Sequence, residues 1–595
     1  MCYNTFIRNT PGIAQGLRRI PMTVDKEAVA FMQKKAVLCA LDSQYVHTNL
    51  AVYYLKSYAD KHATGFCCQI LEGTVNESGD RYFDKLCAER PDIVAFSAYI
   101  WNIREIKALC QRIRGEMPHV PIVLGGPEVT FNPEEYLGSG LCDYVLRGEG
   151  EIAFTTLCDA IAAGQTPPAA EGICRKTPQG VLVSEPTVCE DLAALESPYT
   201  PAYLAQLPGK IAYIEASRGC PFSCAFCLSG ACRGVRFFPM EQVKRAALLL
   251  WRSGVRTVKF IDRTFNADRK RAEEILRFIL ENYPQEPEVC FHFEVAADRL
   301  SESLLSLLET APKGLFQLEA GLQSFHEPTL EAVARHTDLP KLCTNVRRLL
   351  APGNIHVHID LIAGLPQEDY SCFRKSFNKA YALQADMLQL GFLKLLYGSA
   401  LRDSTDAYAY VFDENPPYEI RATAWLTEAE MNKLHEVEDA CDRLHNSGRF
   451  RQTLRYVLKA TGITPFDLFH AFGKKPSLPL DAYTALAFTF FASLDGVDKA
   501  VLRDCMCRDR LSSNRSGKLP DCLKIKDSRL AAVSAKLAAL PGHAPKPAMR
   551  RTVCLLYSEK TVVYADYPMT SGAKNHFDSG VSLKELPFSA FAELV

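Results

Sequence analysis

Residues 219–230 read "GCPFSCAFCLSG" and set Cys220, Cys224 and Cys227 with three and then two residues between them, directly behind a strand-like apolar run, "IAYIEASR". Thiols clustered this tightly point to zinc or iron–sulfur chemistry. Three is an incomplete set, since structural zinc sites and closed clusters take four ligands. Two readings follow. Cys232, five residues beyond Cys227, completes a closed site, or the fourth position is kept for a ligand that is not protein.

The surrounding pattern must position that loop. After "IAYIEA" come five further strand-like runs: "TVKFID" (257–262), "VCFHFEVA" (289–296), "GLFQLEAGL" (314–322), "HVHIDLIAG" (356–364) and "MLQLGFLKLL" (387–396), separated by amphipathic helical stretches. Six β/α units predict an open or partial barrel whose working loops lie at the strand carboxyl ends, where the cysteine loop emerges. Polar residues gather at those ends: Glu294, Glu319, Gly321, Gln323, "GLPQED" (364–369), and Asp262, Arg263 and Asn266 after the second strand. A buried Glu or Gln there needs partners, which a polar cofactor or a structural ion pair supplies. Arg335 either clamps a carboxylate or faces solvent as a helix residue.

Ahead of this barrel, "AVLCAL" (36–41), "CCQILEG" (67–73), "DIVAFSAY" (92–99), "PIVLGG" (121–126) and "CDYVLRG" (142–148) alternate with helical periods. That alternation predicts a doubly wound parallel sheet with its ligand crevice at the strand carboxyl ends. The loops there are "DSQYVHTN", "SAYIWN", "GGPEVT" and "RGEGE". Their glycines, Gly125, Gly126, Gly148 and Gly150, allow close backbone approach of a ligand or simply serve turns. No G-x-G-x-x-G follows the first strand, which disfavours a dinucleotide. Residues 165–205 read as a Pro/Gly-rich linker with a small hairpin. Beyond Asp403 the pattern turns mostly helical, ending in a hairpin formed by "TVCLLYS" and "TVVYADY". The expected units are thus an extension at 1–31, a first domain at 32–164, the linker, a barrel at 206–402 and a third domain at 403–595 that covers the barrel mouth.

Composition sets the context. The chain has 595 residues, 48% of them hydrophobic, enough for several cores. Its 68 basic and 69 acidic residues balance to a formal charge of -1, so nothing global calls for nucleic acid. No apolar stretch approaches the roughly 18 residues of a membrane span. The 22 cysteines without a secretory leader fit a reducing, cytoplasmic setting. Residues 1–31 read as a disordered extension, an over-long translation start or a targeting arm. Cys505, Cys507 and Cys522 offer a second metal site that matches no standard framework. Arg510, Asn514, Arg515 and Lys518 contact an anionic substrate or face water.

The C-x-x-x-C-x-x-C motif resembles the signature of the radical SAM (S-adenosylmethionine) superfamily, whose three cysteines bind three irons of a [4Fe-4S] cluster while the fourth iron chelates the amino and carboxylate groups of S-adenosylmethionine. The resemblance implies Cys220, Cys224 and Cys227 as cluster ligands and Phe226 beside the adenine. It also implies that Glu294, Glu319, Gln323 and Arg335 hold the ribose, amino group and carboxylate. Residues 34–164 resemble the cobalamin-binding domain found in many such enzymes, which makes Asp42, His47, Tyr99, Trp101, Gly125, Gly126, Gly148 and Glu149 candidate cobalamin contacts. The D-x-H-x-x-G of methionine-synthase-type domains is absent, because Asp42 and His47 stand five residues apart. His47 is therefore expected to pack or cap the next helix; the alternative is a lower cobalt ligand. "LDSQYVHTNLAVYYLKSY", "FIDRTFN", "HIDLIAGLPQEDY" and "LQLGFLKLLYGS" together resemble one subfamily, whose C-terminal region is an uncharacterised domain called DUF4080.

The resemblance implies that one S-adenosylmethionine supplies a radical and another a methyl group, by way of methylcobalamin, to an unactivated carbon of a small molecule or peptide. A flavodoxin- or ferredoxin-type protein would donate the electron. Three alternatives stand beside it. One is radical rearrangement or oxidation without methyl transfer. Another is methylthiotransfer, with a second cluster on Cys2, Cys39, Cys67 or Cys68. The third is a corrinoid or redox sensor without turnover.

Overall fold

The computed structural model describes residues 33–231, 234–514, 518–545, 549–568 and 581–591. The extension at 1–31, Cys2, Cys232 and Arg515 lie outside these. Five parallel strands, β1 (Lys34–Asp42), β2 (Phe66–Thr74), β3 (Ile93–Ser97), β4 (Ile122–Gly125) and β5 (Tyr144–Leu146), pair in the order β2-β1-β3-β4-β5. The order reverses between β1 and β3, so the crevice lies over the loops that follow those two strands. Helices cover both faces, as a parallel sheet buried on both sides requires. Helix Ile103–Glu116, for example, buries Ile103, Ile106, Cys110 and Ile113 at helical spacing against one face.

The segment expected to be a linker is part of this sheet. β6 (Ile173–Thr177) pairs antiparallel with β5, and β7 (Gly180–Leu182) with β6. Buried Leu192, Leu195, Tyr199 and Tyr203 then join the first domain to the barrel in one continuous apolar core. The Pro/Gly content marks the turns of this segment, not a free tether.

The barrel strands are β8 (Ile211–Ile214), β11 (Thr257–Phe260), β12 (Cys290–Val295), β13 (Phe316–Gln323), β14 (His356–Ala363) and β15 (Met387–Phe392), all parallel and in sequence order. Between β8 and β11 an unforeseen ladder of β9 (Ser217–Cys220) with β10 (Gly234–Phe237) closes the base of the cysteine loop. An open barrel has two exposed edges, which need cover. At the β8 edge, Ile211 N donates to Val46 O of the first domain at 2.8 Å. At the β15 edge, Asn446 brackets Leu388, accepting from its N–H at 2.9 Å and donating to its carbonyl at 3.0 Å.

That second contact corrects the expectation for the third domain. Its helices Glu428–Cys441 and Pro465–Phe472 pack beside β15 and helix Tyr370–Tyr381, sealing an edge. The segment carrying β16 (Val411–Phe412) and β17 (Ile420–Ala422) lies toward the barrel mouth, where Ile420 N donates to Leu393 O and the Tyr418 hydroxyl donates to buried Glu128 of the first domain. The expected terminal hairpin is β18 (Met549–Leu556) with β19 (Thr561–Pro568), extended by β20 (Lys584–Pro587). Among the described residues, no helix is long and apolar enough to cross a membrane.

Candidate active site

One cavity of about 770 Å³, counting its open mouth, is lined by Cys220, Cys224, Cys227, Phe226, Glu294, Glu319, Gln323 and Arg335 together. Each reaches it for a local reason. Cys220 ends β9 and lies 3.6 Å from the Thr264 hydroxyl. The loop beyond it is pinned where Ala225 N donates to Val333 O and Ala225 O accepts from Leu401 N. Arg335 donates to Gly321 O at 2.7 Å, rests over the Phe222 ring and reaches Cys224 Sγ at 3.8 Å. Gln323 sits at φ +70°, beside a register shift between β13 and β14 that turns its side chain over Gly321.

The lumen below is polar because the inward positions of β11 to β14 are polar. Lys259 stands 3.5 Å from both Glu294 and Glu319, and His292 Nε2 lies 3.0 Å from Glu319. Burial works against a charge on Glu319, but His292 and the Lys259 ammonium hold its carboxyl down at about 2. Asp360, which faces Gly321 across the sheet, goes the other way: burial and the nearby Glu319 and Glu294 push its carboxyl well above the usual range. Sequence analysis passed over Lys259, His292 and Asp360, although strict alternation in "HVHIDLIAG" already puts His356, His358 and Asp360 on one face.

Three buried polar atoms on this wall have no partner among the described residues: Gln323 Oε1, Arg335 Nε and Asp360 Oδ1. Orphaned donors and acceptors around one cavity suit a polar ligand with both amino and carboxylate groups. The three thiols face the same space, and such a donor set suits iron. Among the described residues, no three His, Cys, Asp or Glu side chains are drawn together as a metal site.

The first-domain face differs. Tyr99 and Trp101 stack with centroids 4.3 Å apart at 9°, and Trp101 is 45% exposed at the crevice. Asn102 fixes their loop by donating to Leu41 O and Ser97 O and accepting from Tyr99 N. The other candidates are engaged within the protein. His47 Nδ1 lies 2.5 Å from the Tyr213 hydroxyl, and Asp42 is buried, its carboxyl pushed up to about 7 mainly by that burial. Gly126, at φ +113°, is needed because a Cβ there would stand 2.4 Å from Ala98 O, and Gly148, at φ +79°, because one would stand 2.3 Å from Thr187 O. Gly125 has ordinary room. Glu149 accepts from Arg218, Arg236 and Cys189 N across the domain boundary. Backbone packing at Gly126 and Gly148 and ion pairs at Glu149 thus give these three residues roles within the chain.

The B12 binding domain family matches residues 37–158, the radical SAM superfamily residues 214–380, and a protein family of unknown function, DUF4080, residues 406–539. The chain is a radical SAM protein carrying a B12-binding domain. This radical SAM protein is 31% identical over 195 residues to an uncharacterised methyltransferase of Pyrococcus horikoshii, covering 31% of this chain and 42% of the relative. It is 27% identical over 308 residues to the cobalamin-dependent radical SAM methyltransferase TokK of Streptomyces tokunonensis, covering 48% and 44%. It thus spans less than half the length of these curated relatives. Its fold matches that of OxsB, a cobalamin-dependent S-adenosylmethionine radical enzyme solved with aqua-cobalamin and S-adenosylmethionine bound, with a TM-score of 0.57 at 15% identity over 86% of this chain and 82% of that one.

Elsewhere in the radical SAM protein, other candidate cysteines do not converge. Cys39 is buried inside β1 while Cys67 is exposed on β2, so they and Cys68 do not assemble the second cluster that methylthiotransfer needs. Cys505 and Cys507 sit two apart on helix Lys499–Ser513 and leave it in different directions; Cys507 is buried toward Leu523 O. Arg510 is buried and donates to Lys518 O and Asp481, so it does not face water. Sequence reasoning also missed Arg218, half of the hub that joins Glu149, Glu151 and Glu215 between domains.

Proposed function

We propose that this chain is an enzyme that methylates an unactivated carbon, using a [4Fe-4S] cluster, S-adenosylmethionine and cobalamin. The observation that carries the reading is the shared wall of Cys220, Cys224 and Cys227 with the unpartnered atoms of Gln323, Arg335 and Asp360. In this reading the three cysteines ligate the cluster. Arg335, Glu294, Glu319 and Gln323 hold S-adenosylmethionine with Phe226 against its adenine, and the Tyr99–Trp101 stack floors the corrin. When bound, these groups supply radical chemistry and a methyl donor that no side chain offers.

The chain's own residues do the positioning. His292 and Lys259 favour the ionised form of Glu319, while burial and the neighbouring carboxylates favour the protonated form of Asp360, so two carboxyl groups in one lumen are driven in opposite directions. His47, engaged by Tyr213, is not a cobalt ligand in this account. Val46 and Asn446 satisfy backbone groups on the barrel's two edge strands, which fixes the frame that carries the cavity walls. A small-molecule or peptide substrate, a flavodoxin- or ferredoxin-type electron donor and a cytoplasmic setting go with the proposal.

The test is anaerobic purification with iron, sulfide and cobalt quantified, followed by mass spectrometry of extracts from strains with and without the gene. A metabolite heavier by one methyl supports the proposal. A loss of hydrogen without added carbon would redirect it to oxidation, and no 5′-deoxyadenosine from the reduced, loaded protein would leave only a sensor.

A further inference from the structure

The cations around the cavity are not equivalent. Lys259 is neutralised between Glu294 and Glu319, and Arg335 is tied to Gly321 O and the Phe222 ring. Arg263 lines the same cavity, is exposed, and its guanidinium makes no hydrogen bond or ion pair among the described residues.

Its loop is nonetheless fixed on both sides. Asp262, 2% exposed, accepts from Ala216 N at 2.9 Å and from the Ser217 hydroxyl. Thr264 touches Cys220, and Asn266 exchanges two 2.9 Å hydrogen bonds with the Ala296 backbone. A free guanidinium presented by a rigid loop loses little entropy on binding. Its charge works against the burial that raises the Tyr99 phenol, so Arg263 is within electrostatic reach of the aromatic stack of the first domain. Arg263 shares its cavity with the three thiols, so a substrate that fills the cavity beside them covers its guanidinium, and covering it without an anion would strand a charge away from water.

Given the methyl transfer proposed above, we infer that Arg263 grips an anionic oxygen group of the substrate, a carboxylate or a phosphate, through its guanidinium fork. The carboxylate of S-adenosylmethionine belongs deeper, with Arg335 beside Cys224. The substrate class is therefore an acid or phosphate ester, and Asp262 is a positioning residue for Arg263.

The test uses the full chain, purified anaerobically with its cofactors, as wild type, Arg263→Ala and Arg263→Lys. Each is titrated with inorganic phosphate and, separately, with S-adenosylmethionine. Phosphate should bind the wild type, weaken at least about tenfold in Arg263→Ala, and weaken by about threefold or less in Arg263→Lys, which keeps the charge but not the fork. The affinity for S-adenosylmethionine should change by less than about twofold in both. No phosphate binding by the wild type, equal binding by Arg263→Ala, or a parallel loss of S-adenosylmethionine affinity overturns the inference. So does a neutral methylated metabolite that passes through an anion exchanger, an outcome that leaves methyl transfer intact. Absence of any methylated product sinks the methyl-transfer reading, whereas the phosphate titration still reports on Arg263.

Discussion

The barrel cavity and the first-domain crevice were both expected to hold cofactors, and they differ in what their polar atoms are doing. Around the cavity, Gln323, Arg335 and Asp360 keep buried atoms without partners. At the crevice the candidate contacts are engaged, His47 with Tyr213 and Glu149 with Arg218 and Arg236, and a single buried atom of the first loop, Asn49 Oδ1, lacks a partner among the described residues. Unpaired buried groups persist only where something else completes them, so the cavity points to its ligand through unmet hydrogen bonds. The crevice offers shape instead: a flat aromatic pair at the sheet's switch point.

The contrast breaks most sharply at the thiols. Cys220→Ala, Cys224→Ala or Cys227→Ala should each drop iron and sulfide to background, while Cys232→Ala should keep a full complement; loss of iron in Cys232→Ala would restore the closed-site reading. At the crevice, Glu149→Ala should lower the unfolding free energy by about 2 kcal/mol, because it takes from Arg236 its carboxylate partner and leaves Arg218 only Glu151 and Glu215 at the domain boundary. Cobalt per folded chain should not change. If cobalt falls while the urea midpoint holds, Glu149 is a cobalamin contact after all.

Glu319 ties the cavity to pH. Its carboxyl lies at about 2 in the folded chain against an ordinary 4.5, so its contribution to stability is complete above about pH 4.5 and is lost as pH falls through 2. The unfolding free energy should decline less steeply between pH 5 and 3 in Glu319→Gln than in the wild type, by about 2 kcal/mol across the range. An identical slope would show that His292 and Lys259 do not hold the charge. The smallest effect is expected from Trp101→Ala, about tenfold weaker cobalamin binding in an equilibrium titration. Unchanged affinity would remove the aromatic floor.

The strands were legible because alternating apolar runs and helical periods leave few architectures, and the cysteine loop because its spacing is specific. What escaped the sequence was assigned by partners far along the chain. Gly148 looked like a ligand-facing glycine until Thr187 filled the space beside it. Glu149 was named as a candidate cobalamin contact, and its partners Arg218 and Arg236 stand 69 and 87 residues away, beyond the reach of local pattern. The segment at 165–205 looked like a tether because its turns are rich in Pro and Gly, whereas Ile173 and Cys174 bury it in the sheet. Asp360 was readable from alternation alone and was overlooked because its strand reads as mainly apolar.

The central claim is an iron–sulfur cluster held by Cys220, Cys224 and Cys227 with one iron left for S-adenosylmethionine. Electron paramagnetic resonance of the reduced, anaerobically purified chain tests it directly. The account predicts a [4Fe-4S] signal whose g values shift when S-adenosylmethionine is added. A signal indifferent to S-adenosylmethionine, or zinc in place of iron, would contradict it.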